Sequence, residues 1–510
     1  MTATRWRAIV GGLVTGLVTL GLAELLAGLL TRFGWSSGAG SPVLSVGGAF
    51  IDRTPPWLKD FAVSTFGTAD KTVLLIGISL VLTVLSAVVG LLAFRRFAAG
   101  VTLFVVLVAV AALAIVTRPD SGAFDPVPLL VGAYAGLLTL RAWWHRARGT
   151  SEGATGPDRR ALLRLGAGGA ALGVLGIVAG RVVSGSARAV DAARKAFVVP
   201  FVKTPVRIPS GVSVGVPGVT PFLDPWGQFY RIDTALSVPQ IDPAQWQLKV
   251  TGMVEREITL TWDELLAKPM QQALITLMCV SNEVGGRLNG NAIWTGWPVR
   301  ELLKEAGVKP GADMVLSRSS DGFTAGTPLE ALTDNRNSLL AVAMNSRALP
   351  PEHGFPVRLV VPGLYGYVSA TKWVVELKVT TFAADQGYWT PRGWSAKGPV
   401  KTSSRIDVPA DGDTVDAGTV AIAGVAWAQH RGIKAVEVQV DSGPWQPAEL
   451  GTEATIDAWR QWVVRWKATS GRHTVKVRAI DASGAVQIAQ EAPPAPDGST
   501  GYHTISVTVR

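Results

Sequence analysis

The strongest constraint on this chain is the crowding of apolar residues into its first 185 positions. Runs at 8–30, 72–94, 99–117 and 127–144 each approach the length a helix needs to cross hydrocarbon. A fifth, glycine-rich run follows at Ala161–Val183. Backbone polar groups in hydrocarbon must be satisfied within their own segment, so all five are predicted to be helices. Arginines stand before the first run (Arg5, Arg7), between the second and third (Arg95, Arg96) and after the fourth (Arg141, Arg146, Arg148, Arg159, Arg160, Arg164). The positive-inside rule makes those ends cytoplasmic, and the fifth run then delivers everything after it to the outer side of the cell membrane.

Asp158-Arg159-Arg160-Ala161-Leu162-Leu163-Arg164 opens that fifth run and resembles a twin-arginine export signal. Simple positive-inside anchoring accounts for the same arginines. Gly166-Ala167-Gly168-Gly169 has no strand before it and reads as membrane helix, not as a dinucleotide loop. The pairs Gly12/Gly16 and Gly169/Gly173 have the spacing of close helix contacts, and Glu24 is a carboxylate within a span.

At 510 residues the chain has room for a membrane region and two further domains. Its net charge of +10 comes largely from arginines flanking the apolar runs, which sets nucleic acid aside as a partner. The single cysteine, Cys279, excludes an internal disulfide. Of five histidines only His145 lies in the membrane half, so a bis-histidine haem there is excluded, and no haem or iron–sulfur motif is evident elsewhere.

After the membrane region, residues 184–219 are rich in Pro, Gly, Ser and Val and read as a linker. Between 220 and 398, strands such as Trp246–Val250 and Val357–Val361 alternate with helical stretches such as Thr261–Ala267 and Val299–Ala306, an α+β pattern. From 399 to 510 the pattern becomes all-β, clearest at Thr419–Val425, Ala435–Val440, Gln461–Lys467 and His473–Ala479. That spacing predicts an immunoglobulin-like sandwich, with Trp459, Trp462 and Trp466 as core or interface residues.

Cys279 ends the apolar strand Ala273–Met278 and opens the loop Ser281-Asn282-Glu283-Val284-Gly285-Gly286. A strand end opening into a loop is where sites are built, although a lone cysteine is most often a small buried hydrophobe. Further motifs follow in order: Gly290-Asn291-Ala292-Ile293-Trp294-Thr295-Gly296-Trp297-Pro298, then Asn345, Leu349-Pro350-Pro351-Glu352-His353-Gly354-Phe355-Pro356-Val357-Arg358, and Lys372-Trp373. With Phe229-Tyr230-Arg231-Ile232-Asp233 upstream, this set resembles the sulfite oxidase family of molybdopterin enzymes over about 220–510.

The resemblance implies an α+β pterin-binding domain followed by a sandwich through which two chains form a homodimer. It implies that Cys279 is the thiolate on molybdenum. Tyr230, Arg231, Asp233, Asp321, His353, Arg358, Ser369, Thr371 and Lys372 are implied to bind the cofactor, molybdopterin. Glu283 and Trp294 are candidates for the substrate pocket. Two departures argue against sulfite. Glu283 stands where the family has an arginine, and a carboxylate repels an anion; the family's active-site tyrosine is absent, with Gly393-Trp394 in its neighbourhood.

The expectation is therefore a membrane-anchored molybdenum oxidoreductase that transfers an oxygen atom on a small extracytoplasmic substrate and exchanges electrons with a separate protein or the quinone pool. Two alternatives stand beside it: a reductase of S-oxides or N-oxides fed by a membrane donor, and a non-catalytic membrane scaffold that uses the sandwich to bind a partner.

Overall fold

The computed structural model describes the chain except for residues 1, 34, 37–39, 56–57, 59–60, 62–64, 67–69, 119–120, 150–156, 184–185 and 233–234. The chain divides into two compact units, Met1–Ala189 with Ala235–Ser237, and Val190–Thr234 with Val238–Arg510.

The first unit is helical. All five apolar runs are helices, at Thr2–Arg32, Asp70–Arg95, Phe97–Val116, Pro126–Gly149 and Pro157–Val183. Each contains a stretch long and apolar enough to cross a membrane. The first helix packs against the second, fourth and fifth of these. Glycines make those approaches possible: a Cβ on Gly12 would collide with Ser86 and Gly90, and one on Gly173 would lie 2.5 Å from the Leu17 carbonyl oxygen. Large apolar side chains such as Ile76, Leu80, Leu172 and Leu175 are exposed instead. Glu24 accepts a hydrogen bond from Ser41 Oγ at 2.8 Å. Ser41 also caps a sixth helix, Pro42–Arg53, whose Pro42 sits in the first turn; its mixed polarity kept it out of the apolar pattern.

Helix Ser186–Ala196 occupies the first part of the expected linker, its N-terminal residues assigned to the first unit and the rest to the second. Its alanines and terminal Arg194 and Lys195 favour a helix, and Arg194 Nε donates to the Leu349 carbonyl at 3.0 Å. Two five-stranded sheets follow. One has the order Ile258–Thr261, Gln247–Gly252, Val374–Thr380, Met314–Ser319 and Thr324–Pro328. The other has Gln271–Met278, Asn289–Pro298, Leu339–Met344 and Arg347–Ala348 in line, with Arg358–Val360 also paired to Leu339–Met344.

Helix Val299–Ala306 buries Val299, Leu302, Leu303 and Ala306, one face at helical spacing, and ends at Gly307 in the left-handed conformation. A capping box of Thr261 and Glu264 starts the short helix Trp262–Leu266. These helices close the core around Trp246, Leu248, Val315, Leu340 and Leu359.

The C-terminal region is two sheets, one of four and one of five strands. Its strands Gly418–Trp427, Ile433–Val440, Arg460–Ala468 and Gly471–Asp481 contain the segments expected from alternation. Ile422, Trp462 and Val464 from one sheet meet Val436, Val438, Val475, Val477 and Val507 from the other in a shared core. Trp459, Trp462 and Trp466 are all buried.

Candidate active site

Strand Gln271–Met278 pairs antiparallel with Asn289–Pro298, register Met278 to Asn289, so the ten residues between them form a closed loop at the strand ends. Cys279 is its first residue. The Cys279 N–H donates to the Leu288 carbonyl at 2.9 Å, Asn282 N to the Cys279 carbonyl at 3.2 Å, and Leu288 N to Asn282 Oδ1 at 2.7 Å. Cys279 as a residue is half-buried. Burial pushes its thiol above the ordinary value, opposed by hydrogen bonding from Ser281. Among the described residues no three His, Cys, Asp or Glu side chains cluster as metal ligands, so a metal at Cys279 would take most of its ligands from elsewhere.

The residues around this loop divide into a polar set and an aromatic wall. Arg358 is buried, and its guanidinium reaches only carbonyl oxygens, of His353 at 3.2 Å, Leu359 at 3.4 Å and Ala370 at 3.4 Å. Among the described residues no carboxylate pairs with it. Burial lowers its pKa to about 10, the sign of a cation that the fold itself does not neutralise. Its guanidinium carbon lies 5.0 Å from the centre of the Trp294 ring, a cation–π contact.

Trp294 is fully buried, its indole N–H on the Ile275 carbonyl at 3.2 Å. It is wall, therefore, and not the lining of an open pocket. Phe229 stands edge-on to both Trp294 and buried His353, at 5.4 and 5.6 Å, and its neighbour Tyr230 is half-buried. Burial raises the Tyr230 phenol, Cys279 raises it further, and Arg358 acts against both.

The second polar segment comes from the turn before strand Val374–Thr380. Lys372 Nζ donates to the Glu352 carbonyl at 3.0 Å and lies 4.7 Å from the Trp373 ring. Gly354, at φ +106, lets this segment approach: a Cβ there would lie 2.9 Å from Arg358 Cβ and 3.2 Å from Lys372 Cα. Ser369 and Thr371 are fully buried, with the Ser369 hydroxyl on the Tyr365 carbonyl at 2.9 Å and the Thr371 hydroxyl 2.7 Å from that of Ser317. Their hydroxyls hold the turn. Asp321 sits in the turn between Met314–Ser319 and Thr324–Pro328, where its carboxylate accepts from Phe323 N at 3.1 Å and Ser320 N reaches the Trp373 carbonyl at 2.9 Å.

Tyr230, Trp294, His353, Arg358, Lys372 and Cys279 are thus linked by neighbouring contacts and charge interactions. Glu283 lies in the cysteine loop with its side chain exposed, and Arg231 is exposed. Asp233 lies outside the described residues.

Two features were not found by sequence reasoning. Tyr365, buried at the loop after strand Arg358–Val360, has its phenol raised to about 12, by burial first and by the charges of Asp497 and Cys279 among other causes. It places a phenol near the thiol although the family position holds Gly393-Trp394. The other feature is a set of side chains from the C-terminal region on the cysteine loop and the strand after it: Arg405 Nη1 donates to the Gly286 carbonyl at 2.8 Å and Asn289 Oδ1 at 3.0 Å, and Ser499 Oγ to the Asn282 carbonyl at 2.7 Å.

This set, a thiol and a buried cation that both act on the Tyr230 phenol, with an aromatic ring against the cation, fits an anionic ring cofactor carrying a soft metal. Comparison with known proteins agrees. Residues 235–389 match the family described as the oxidoreductase molybdopterin binding domain. Rat mitochondrial sulfite oxidase is 30% identical over 301 residues, 49% of this chain and 55% of that protein. The uncharacterized oxidoreductase YuiH of Bacillus subtilis is 33% identical over 157 residues, 31% of this chain and 76% of that protein. The sulfane dehydrogenase SoxCD of Paracoccus pantotrophus superposes with a TM-score of 0.49 at 23% identity, covering 62% of this chain and 89% of that one. The chain spans about half the length of the first of these curated relatives, 55% for the rat protein.

Proposed function

The chain belongs to the molybdopterin-dependent oxidoreductases of sulfite oxidase type, and from that premise we propose that its C-terminal unit carries out a two-electron oxygen-atom transfer on a small substrate. The observation that carries this reading is Arg358, a buried guanidinium whose hydrogen bonds among the described residues go to carbonyl oxygens and which, like the sole cysteine of the chain, acts on the Tyr230 phenol. Molybdopterin, when bound, supplies the oxygen-atom transfer and the redox change.

The protein's part is to hold, orient and tune. Cys279 provides one soft thiolate for the metal. Arg358, Lys372 and His353, with Arg231, hold the anionic part of the cofactor; Tyr230, Asp233 and Asp321 bind its neutral polar groups, and Ser369 and Thr371 shape the backbone that carries Lys372. Trp294 backs Arg358, excluding water from the cation and stiffening it. Glu283, exposed on the cysteine loop, disfavours an anionic substrate at the entrance.

In this reading residues 1–183 anchor the protein in the cell membrane, 184–219 connect, 220–398 bind the cofactor, and 399–510 form an immunoglobulin-like sandwich that pairs two chains. The catalytic half is extracytoplasmic, exported through the arginine pair before the fifth span. A separate electron-transfer protein or the quinone pool exchanges electrons with the metal. Five candidate spans, where one would anchor, favour a second reading for the direction of flow: reduction of an S-oxide or N-oxide by electrons drawn from the membrane.

The test is metal and pterin analysis of protein purified from its native membrane, wild type beside Cys279→Ser. The expected result is about one molybdenum per chain, with the ligand absorption lost in the variant. A metal-free wild type from a molybdenum-replete host sinks the enzyme reading and leaves the scaffold. Assays with a sulfoxide plus chemical reductant, then with sulfite plus an electron acceptor, separate the two directions.

A further inference from the structure

The guanidinium of Arg405 is buried in the strand Ser403–Val408 of the C-terminal sheets, and each of its three nitrogens donates a hydrogen bond. Nε donates to Asp407 Oδ1 at 2.7 Å and Nη2 to Thr220 Oγ1 at 2.8 Å, while Thr220 N returns a bond to Asp407 Oδ2 at 3.0 Å. The Nη1 bonds to the Gly286 carbonyl and Asn289 Oδ1 cross to the loop that begins at Cys279. Because Asp407 neutralises it, Arg405 is not an anion receptor. It is a rigid fork joining three segments.

The same strand carries a second hold on the loop. Ile406 N donates to His503 Nδ1 at 3.0 Å, and the His503 ring fills the space beside Gly285, where a Cβ would collide with it. Gly285 itself is at φ +79, a conformation that glycine adopts without strain. Ser499 holds the Asn282 carbonyl from a third position. Within the loop, Leu288 N on Asn282 Oδ1 and Cys279 N on the Leu288 carbonyl transmit these holds to the cysteine backbone.

We infer that Arg405 is a positioning residue for the metal-ligating thiolate: the C-terminal sheets complete the active site by locking the Cys279–Asn289 loop in place. The inference rests on the reading that Cys279 binds molybdenum. A loop held at both strand ends but unclamped in the middle would let the thiolate take several geometries, and the position of a ligand sulfur sets its overlap with the metal.

The test uses the holoenzyme of the full chain. Arg405→Lys keeps the charge beside Asp407, but one ammonium cannot reach Gly286, Asn289 and Thr220 together. The double variant Arg405→Met with Asp407→Asn removes both charges, so no buried carboxylate is left unpaired if the lysine variant fails to fold. The expected result in either is a shifted thiolate-to-molybdenum absorption band, a broadened Mo(V) paramagnetic resonance signal and loss of molybdenum on dialysis roughly tenfold faster than wild type. Arg478→Lys, at an ion pair elsewhere in the same sheets, is expected to keep wild-type signals. Unchanged band, resonance and loss rate in the folded Arg405 variants overturn the inference even if melting temperature falls, and so does an equal shift in Arg478→Lys. A wild type without molybdenum overturns the functional reading instead, and the inference with it.

Discussion

Arg358 and Arg405 are both buried arginines in one compact unit, and they are held in opposite ways. Arg405 has a carboxylate at 2.7 Å and three further acceptors; Arg358 has carbonyl oxygens and an aromatic face. A buried charge is costly unless it is paired, so a fold that pairs one cation and leaves the other without a counter-charge is complete at the first and waiting for an anion at the second. The contrast extends outward. The C-terminal sheets pair Arg431 with Asp481 and Arg478 with Glu437, whereas the cofactor-site segments put Arg358 on the His353 carbonyl and Lys372 on the neighbouring Glu352 carbonyl, with Tyr230 acted on by both Arg358 and Cys279.

The largest effect tests the site as a whole. Cys279→Ser is expected to lower activity by more than the roughly 10–100-fold that follows loss of an outer-shell partner, because the ligand itself is removed. Thermal melting of the cofactor-free protein should barely change, since serine is nearly isosteric with a partly exposed cysteine. A variant that retains molybdenum and turnover would break the comparison at its first premise.

The same substitution at the two arginines sharpens it. Arg405→Met leaves Asp407 buried without a counter-charge and is expected to cost about 3–5 kcal/mol. Arg358→Met strands no carboxylate, so in cofactor-free protein its cost is expected within about 1 kcal/mol, the three carbonyls it leaves offsetting relief of an unneutralised charge. Its effect appears on loading, as weak cofactor retention. Urea unfolding of both variants from a molybdenum-starved host measures the difference, and equal costs would show that pairing is not what separates them.

Much of this contrast was legible in sequence and part was not. The five apolar runs announced their helices because hydrocarbon leaves few alternatives, and Cys279 stood out because it closes a buried strand before a polar loop. The motif around His353 and Arg358 announced cofactor chemistry, but not that Arg358 has no carboxylate partner among the described residues, which depends on segments distant in sequence coming together. Arg405 was invisible for a physical reason. In an alternating strand a charged residue reads as solvent-facing, and only the packing of the sheets against the cysteine loop turns it inward. Trp294 read from sequence as a candidate for the substrate pocket, and its full burial was not legible there, since composition does not distinguish the two faces of a covered sheet. Helix Ser186–Ala196 was hidden among glycine and proline neighbours that dominate the composition of its region.

A smaller effect comes from a carboxylate that joins the two regions. Asp224 Oδ2 accepts from Asn291 N at 2.6 Å, and burial raises its pKa to about 6, against the pull of that hydrogen bond and of Arg405. The folded state therefore holds a proton that the unfolded chain releases near pH 4. Between about pH 4 and 6 the native state binds more protons than the unfolded one, so this group makes stability fall as pH rises, with no further change above its folded pKa. Asp224→Asn keeps an acceptor for Asn291 N and cannot ionise. It is expected to match wild type near pH 4 and exceed it at pH 7, read as denaturant midpoints at the two values; a variant less stable at pH 7 would mean that the carboxylate charge is needed by Arg405.

The smallest effect lies farthest from the site. Arg478 pairs with Glu437 at 2.7 Å, with both side chains about one-quarter exposed, and stacks 4.2 Å from the Trp445 ring. Solvent already screens such a pair, so Arg478→Gln is expected to cost less than about 1 kcal/mol. Its difference from wild type should shrink in 1 M salt, where the screening length is about 3 Å. Melting both proteins at low and high salt measures it. A cost as large as that of Arg405→Met would mean that the sheets depend on their charge pairs throughout, and that the fork on the cysteine loop is one structural pair among several and has no special bearing on the thiolate.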